Sequence, residues 1–401
     1  MGREDDSRSR DAEWLDPGHV DVLDSMGRPG RRWSVVLLLV VAGLIAALLY
    51  PTLRHAGTPS AAPAPTAPTA GRSSPAGGYP GPAVASQPVT VTEVGHRLLG
   101  VTAGWELFGR GPGAVVRIQP ALGRITRTEV PGLQSSGPVS FVVGADGVII
   151  RPLDLVAGYA VPDGQPAREL RGALSRHGPA FAGPDAGHVW VETDVGDHKT
   201  MVLVGMDGRP THVSIRIPGD SAGSVASDGA GYLLVTSTGG VYDARPGGLR
   251  RVTTGVVLAV GPTRWLTMEC DGQHRCATVV IDRVSGARRV LAGGVPAAVN
   301  SAAGMISPDG SMAVVLPISP AGTATLHLVD LGSGADHPLA VTIDRGSFND
   351  GILVWSPDSR RLFVAAAGGR LLVVDAYNGN VRDLGVALPH ISQVGVRSWA
   401  Q

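Results

Sequence analysis

Gly351-Ile-Leu-Val-Trp355-Ser-Pro-Asp358-Ser-Arg-Arg361-Leu-Phe-Val-Ala-Ala-Ala367-Gly-Gly369-Arg-Leu-Leu-Val-Val-Asp375-Ala-Tyr-Asn-Gly379-Asn-Val-Arg-Asp-Leu384 holds four short runs of Val, Leu and Phe. Ser-Pro-Asp, Gly-Gly and Asn-Gly separate them, and each separator bends a chain sharply. The pattern predicts a four-stranded antiparallel meander. The strand-ending aspartate and its turn glycine recur upstream. Close copies are Leu-Val-Asp330-Leu-Gly-Ser-Gly334 and Val-Ile-Asp282-Arg-Val-Ser-Gly286, and looser ones end at Gly247, Gly208, Gly164 and Gly123. From Gly123 to Gly379 the turn glycines are 39 to 48 residues apart, which gives seven units of about 43 residues, the period of a four-stranded propeller blade.

Other blade features fall in register. An apolar or aromatic strand opens each hairpin, among them Trp105–Phe108, His188–Val191, Trp265–Met268 and Leu362–Val364. A more polar strand such as Arg288–Leu291 or Asn380–Leu384 follows the turn. Nearly continuous apolar runs belong to strands covered on both faces, and alternating ones to half-wet edges. Ring closure requires the chain ends to share a blade. Val89–Val94 alternates like an edge strand and Ile391–Trp399 is left over after the seventh unit, so both ends are expected to contribute.

At Ser307-Pro-Asp-Gly-Ser-Met-Ala-Val-Val315 and Trp355-Ser-Pro-Asp-Ser-Arg-Arg-Leu-Phe-Val364 the chain resembles the hairpins of TolB-like and WD-repeat-like β-propellers. Its D-x-x-(S/T/N)-G turns are similar to those of the same families and of PQQ-type propellers. The resemblance implies an all-β, seven-bladed β-propeller of four-stranded antiparallel blades over residues 89–401. The Gly-His and Trp-Asp pairs of true WD repeats are absent, so a cytoplasmic scaffold is not implied, and fold alone does not fix function.

The first 88 residues read differently. Residues 1–32 are polar and rich in both Asp and Arg, a composition too poor in apolar surface to order itself. Residues 33–50, WSVVLLLVVAGLIAALLY, carry no charge and as a helix would span about 27 Å, close to the hydrocarbon thickness of a bilayer. Arg28, Arg31 and Arg32 precede the run and only Arg54 follows closely. The positive-inside rule therefore predicts a transmembrane signal anchor with a cytoplasmic tail and an extracytoplasmic propeller. Residues 51–88, dense in Pro, Ala, Thr and Gly, read as a semi-rigid linker.

The sequence has 34 basic and 34 acidic residues, and Lys199 is the only lysine. No basic cluster marks a nucleic-acid binder. Cys270 and Cys276, the only cysteines, flank a turn between two strands of the fifth unit and are expected to form a disulfide in an oxidising compartment. A zinc site built from them and His274 would still want a fourth ligand. Gly219-Asp-Ser221-Ala-Gly223 matches a nucleophile elbow, but no helical periodicity follows Ser221, as the elbow requires. Glu192, Asp194, Asp197 and His198 crowd one hairpin turn without the ordered oxygen ligands of a calcium loop. Ser307–Gly310 lacks the aromatic residue of a sialidase box.

The sequence therefore assigns no catalytic residue, metal or cofactor. It is read as a membrane-anchored, monomeric propeller that binds or scaffolds an envelope protein, wall polymer or small ligand. The alternative is a propeller-based hydrolase or lyase with its site at the mouth of the central channel.

Overall fold

The computed structural model describes residues 89–398, apart from residues 103, 134–138, 154–157, 176–177, 196–197, 220–223, 294–303, 318–323 and 344–350. The first sheet contains β1 (Val89–Glu93), β2 (Trp105–Gly111), β3 (Ala114–Gln119) and β4 (Arg124–Glu129). The second is β5 (Val139–Gly144), β6 (Gly147–Pro152), β7 (Tyr159–Pro162) and the two-residue β8 (Arg168–Glu169). The third is β9 (Ala180–Ala182), β10 (His188–Val195), β11 (His198–Gly205) and β12 (Pro210–Arg216). The fourth is β13 (Val225–Ser227), β14 (Leu233–Ser237), β15 (Gly240–Arg245) and β16 (Gly248–Thr253).

Two further meanders follow, β17 (Val256–Val260), β18 (Arg264–Cys270), β19 (Cys276–Asp282) and β20 (Arg288–Val290), then β21 (Gly304–Ile306), β22 (Met312–Val315), β23 (Ala324–Asp330) and β24 (Asp336–Ile343). They join edge to edge through a parallel pairing of β17 with β21, Ala259 opposite Gly304 and Val260 opposite Met305. The last meander is β25 (Leu353–Trp355), β26 (Arg361–Ala365), β27 (Leu371–Asp375) and β28 (Val381–Asp383). The final strand, β29 (Gln393–Ser398), returns to pair with β2, and β1 lies at the opposite edge of that sheet, beside β4.

These pairings correct the expected seven separate four-stranded blades. Among the described residues the strands make six sheets, of five, four, four, eight, four and four strands. The first gains a strand because β29 joins the edge of β2 in the sheet that already holds β1 to β4. The eight-stranded sheet arises because the inner edges of two meanders come close enough to exchange backbone hydrogen bonds, a long-range contact with no local sequence signal.

Residues 33–50, expected to cross a membrane, lie outside the described residues, as do the expected tail and linker. Among the described residues no helix is long and apolar enough to cross one; the helices present are 3-10 turns of three and four residues. The single-pass anchor, the extracytoplasmic placement and the membrane and envelope partners thus find no support. They are corrected to a propeller without an assigned anchor.

Successive strand residues point to opposite faces, and each face packs on a different neighbour. On β6, Val148 and Ile150 turn toward the first sheet and join Phe108, Val115, Val139 and Val161. Ile149, between them, turns the other way and joins Val142, Val189 and Val204 of the second and third sheets. The sheets are held together by such seams, and burying a Val or Ile in one contributes about 1.5–3 kcal/mol.

The turns are built from the predicted residues. Asp282 Oδ1 accepts hydrogen bonds from the backbone N–H of Val284 and Ser285, and Asp330 Oδ1 from those of Gly332 and Ser333. Gly286, Gly334 and Gly379 then take left-handed φ values of 70°, 80° and 68°, where an L side chain is strained.

Candidate functional site: the mouth of the central channel

The first strand of each meander leaves one edge facing inward, where an unpaired backbone group would be a liability. Side chains from neighbouring sheets bond to backbone groups of these strands and of the turn that follows β13, which holds Asp228 and Gly231. Trp190 Nε1 donates to Gly231 O at 2.8 Å, Trp265 Nε1 to Asp228 O at 3.2 Å and Trp355 Nε1 to Met305 O at 3.3 Å. Gln393 Nε2 donates to Val139 O at 2.8 Å, and Ser140 Oγ accepts from the Ala180 N–H at 2.9 Å.

The inward edges enclose a cavity of about 270 Å³ lined by residues of β5, β9, β13, β17, β21, β25 and β29. A space walled by the first strand of every meander, with β29 standing in for the first sheet, is the axis of a ring. The fold is a β-propeller. Its described lining is apolar: Phe141, Phe181, Met305, Leu353 and Val396 are among the lining residues, and among the described residues Ser140 and Ser227 supply the only side-chain hydroxyls and no titratable side chain lines it.

Two buried arginines are paired across the strands with residues at the starting ends of inner strands. Arg110 is the cross-strand partner of Gln393, which immediately precedes the channel-lining Val394. Arg151 is the partner of Ser140, which itself lines the channel. Arg110 is 2% exposed, and its Nε and Nη1 have no acceptor. Burial pulls its pKa down to about 10, so it remains a cation at neutral pH. Burial does the same to Arg151, to about 10, against the opposing charge of Glu192; Arg151 Nη1 also donates to Pro179 O at 3.2 Å.

The other buried arginines are neutralised. Arg397 pairs with Glu106 and with Asp163, the latter at 2.5 Å. Arg117 adds a 2.5 Å bond to Glu106, and Gln119 donates to the same carboxylate at 2.6 Å. Burial pushes the Glu106 carboxyl up, but hydrogen bonds from Arg117, Arg397 and Gln119 outweigh it and hold the pKa below the usual range. Arg283 pairs with the fully buried Asp228 and lies 4.6 Å over the Trp265 ring. Nearby Asp243 is raised, because burial and the charge of Asp228 outweigh Arg245, Arg283 and Arg250. These two networks tie sheets together and belong to the architecture.

A larger groove, about 410 Å³, lies on the outer edge between the second and third sheets, lined by Ala160, Arg168, Leu174 and Met206 among others. Its cause is the two-residue β8, which leaves β7 partly uncovered. Its Arg168 and Glu169 are exposed, and a solvated rim of mixed charge selects little.

The candidates singled out in the sequence lie elsewhere. Cys270 and Cys276 are antiparallel partners at the ends of β18 and β19, joined by a disulfide, with Cα atoms 3.9 Å apart. His274 occupies the intervening turn with φ of 61°. Among the described residues no group of three His, Cys, Asp or Glu is placed to hold a metal. Glu192 is ion-paired with Lys199 at 3.2 Å, Asp194 and His198 are strand residues, and Asp197 and Ser221 lie outside the described residues. Ser307 Oγ donates to Asp309 Oδ1 at 2.6 Å, a turn device. Arg110 and Arg151 escape a motif search. Their one signal is a charge inside an otherwise apolar run, Trp105-Glu-Leu-Phe-Gly-Arg110 and Gly147-Val-Ile-Ile-Arg151.

No family model matches the chain, and no curated protein does. Solved structures similar to it include a putative 6-phosphogluconolactonase from Bacteroides fragilis, 12% identical over 74% of this chain and 98% of that one, with a TM-score of 0.43. A periplasmic gluconolactonase from Pseudomonas aeruginosa is 18% identical over 73% and 98%, with a TM-score of 0.41. TolB from Acinetobacter baumannii is 12% identical over 71% and 67%, with a TM-score of 0.38. At TM-scores below 0.5 these likenesses say nothing of activity or substrate, and the assignment of the fold stands on the sheet topology.

Proposed function

We propose that the working site is the mouth of the central channel and that it takes a small organic molecule with an apolar body. The supporting observation is the channel itself, about 270 Å³ and lined by Phe, Val, Leu, Ile, Met and Ala side chains with two serine hydroxyls. Small-molecule sites are concave, mostly apolar and supplied with a few placed polar groups; the channel answers to that description better than the outer groove. A propeller-based hydrolase or lyase would work at the same place. The Ser-Pro-Asp hairpins at Ser307 and Ser356 support placing the chain beside TolB-like propellers, a matter of architecture rather than chemistry.

Calorimetric titration of the full-length chain with 1-octanol tests the reading, with Ala226→Phe as a channel-filling variant. Saturable 1:1 binding that the variant loses while keeping the parent circular dichroism melt is expected. Equal binding by parent and variant, or none by the parent, would overturn it.

A further inference from the structure

We infer that the channel mouth selects an anion, namely an organic molecule whose apolar body lies in the channel and whose carboxylate lies at the rim in front of Arg110. The inference rests on the channel reading above and adds the chemical class of the ligand. Cross-strand partners place their side chains on the same face of a sheet. Gln393 reaches across the seam to Val139 of the second sheet, so Arg110, opposite it, projects into the same seam. Phe108, two residues earlier on that face, is already packed there against Val139 and Ile150. The guanidinium therefore stands in the seam between the first and second sheets, beside strands β29 and β5 whose Val394 and Ser140 line the channel.

Its lack of a counter-charge is the unusual feature. Arg283 and Arg397, equally buried, each hold a carboxylate, whereas Arg110 Nε and Nη1 hold none. Arg151, at the matching position one sheet on, stands in the field of Glu192, so among the described arginines of this region Arg110 is the one without an acceptor on Nε and Nη1. A cation set in low-dielectric walls projects its field into the adjoining cavity with little screening. An apolar channel with such a field favours a carboxylate over the isosteric alcohol without direct contact. The same field disfavours cations.

The test compares octanoate with 1-octanol by calorimetric titration of the full-length chain, its Arg110→Met variant and the Ala226→Phe variant. Octanoate is expected to bind at least tenfold more tightly than octanol, and R110M to bring the ratio of the two affinities to about one. Replacing a buried charge by an apolar chain of similar length should not unfold the sheet, and circular dichroism melts verify this. Equal affinities in the parent, or an R110M variant that still prefers octanoate tenfold, would overturn the inference while leaving the channel reading intact. Binding of neither probe would remove the channel reading and the selectivity with it.

Discussion

Arg397 on the last strand donates to Glu106 on β2 across 291 residues of sequence. Both are nearly fully buried, at 4% and 3% exposure, and the arginine also reaches Ala145 O of the second sheet at 2.6 Å. The last described strand is thus fastened to β2 and to the next sheet by one side chain. Removing one partner of such a pair leaves an uncompensated charge and costs about 3–5 kcal/mol. Arg397→Met should lower the urea-unfolding free energy by about that amount. The double variant with Glu106→Gln should recover part of it, and a loss under about 1 kcal/mol would show that the pair does not hold the ring.

The pH dependence follows with its sign. Burial raises the Glu106 carboxyl, and the hydrogen bonds from Arg117, Arg397 and Gln119 outweigh it, so the folded pKa lies below the ordinary 4.5. Its stabilisation is complete above about pH 4.5 and is lost as pH falls through the folded value. Asp243 works in the opposite sense: its folded pKa is raised, chiefly by burial, so its ionisation weakens the fold as pH rises. Between pH 6 and pH 3 the denaturation midpoint of the parent should fall more steeply than that of Glu106→Gln; parallel curves would contradict the assignment.

Two glycines separate steric from conformational constraint. A Cβ on Gly123, at φ of 64°, would lie 2.1 Å from His96 O, whereas Gly286, at φ of 70°, has open space around it. Gly286→Ala should cost only the left-handed conformation, about 1–2 kcal/mol. Gly123→Ala should cost more, since backbone must also move. Equal losses in thermal melts would refute the distinction.

The disulfide closes a short exposed hairpin, with a sequence separation of 6, so its loop-closure contribution is about 2 kcal/mol. Replacing both cysteines by serine should lower stability by about that much and leave octanol and octanoate affinities unchanged. Altered binding would connect this hairpin to the channel.

The repeating turns were legible because each depends on a few adjacent residues. Asp282 with Gly286, and Asp330 with Gly334, carry their geometry within five positions. The parallel contact of β17 with β21 was not, since Ala259 meets Gly304 only after the ring has assembled. The mouth of the central channel was expected as a site, but the residues beside it were hidden for the same reason. Arg110 and Gln393 are 283 residues apart in sequence and become neighbours through β2 and β29. A lone arginine in an apolar strand reads locally as an edge residue turned to water, and only the second sheet packed over it makes it a buried cation.

A crystal structure of the full-length chain soaked with octanoate tests the central claim most directly. Density for the alkyl chain is expected among Phe141, Phe181 and Leu353, with the carboxylate at the Ser140 and Val394 rim in front of Arg110. A carboxylate at the opposite end, beside Val354 and Val396, or a ligand bound only outside the channel, would contradict it.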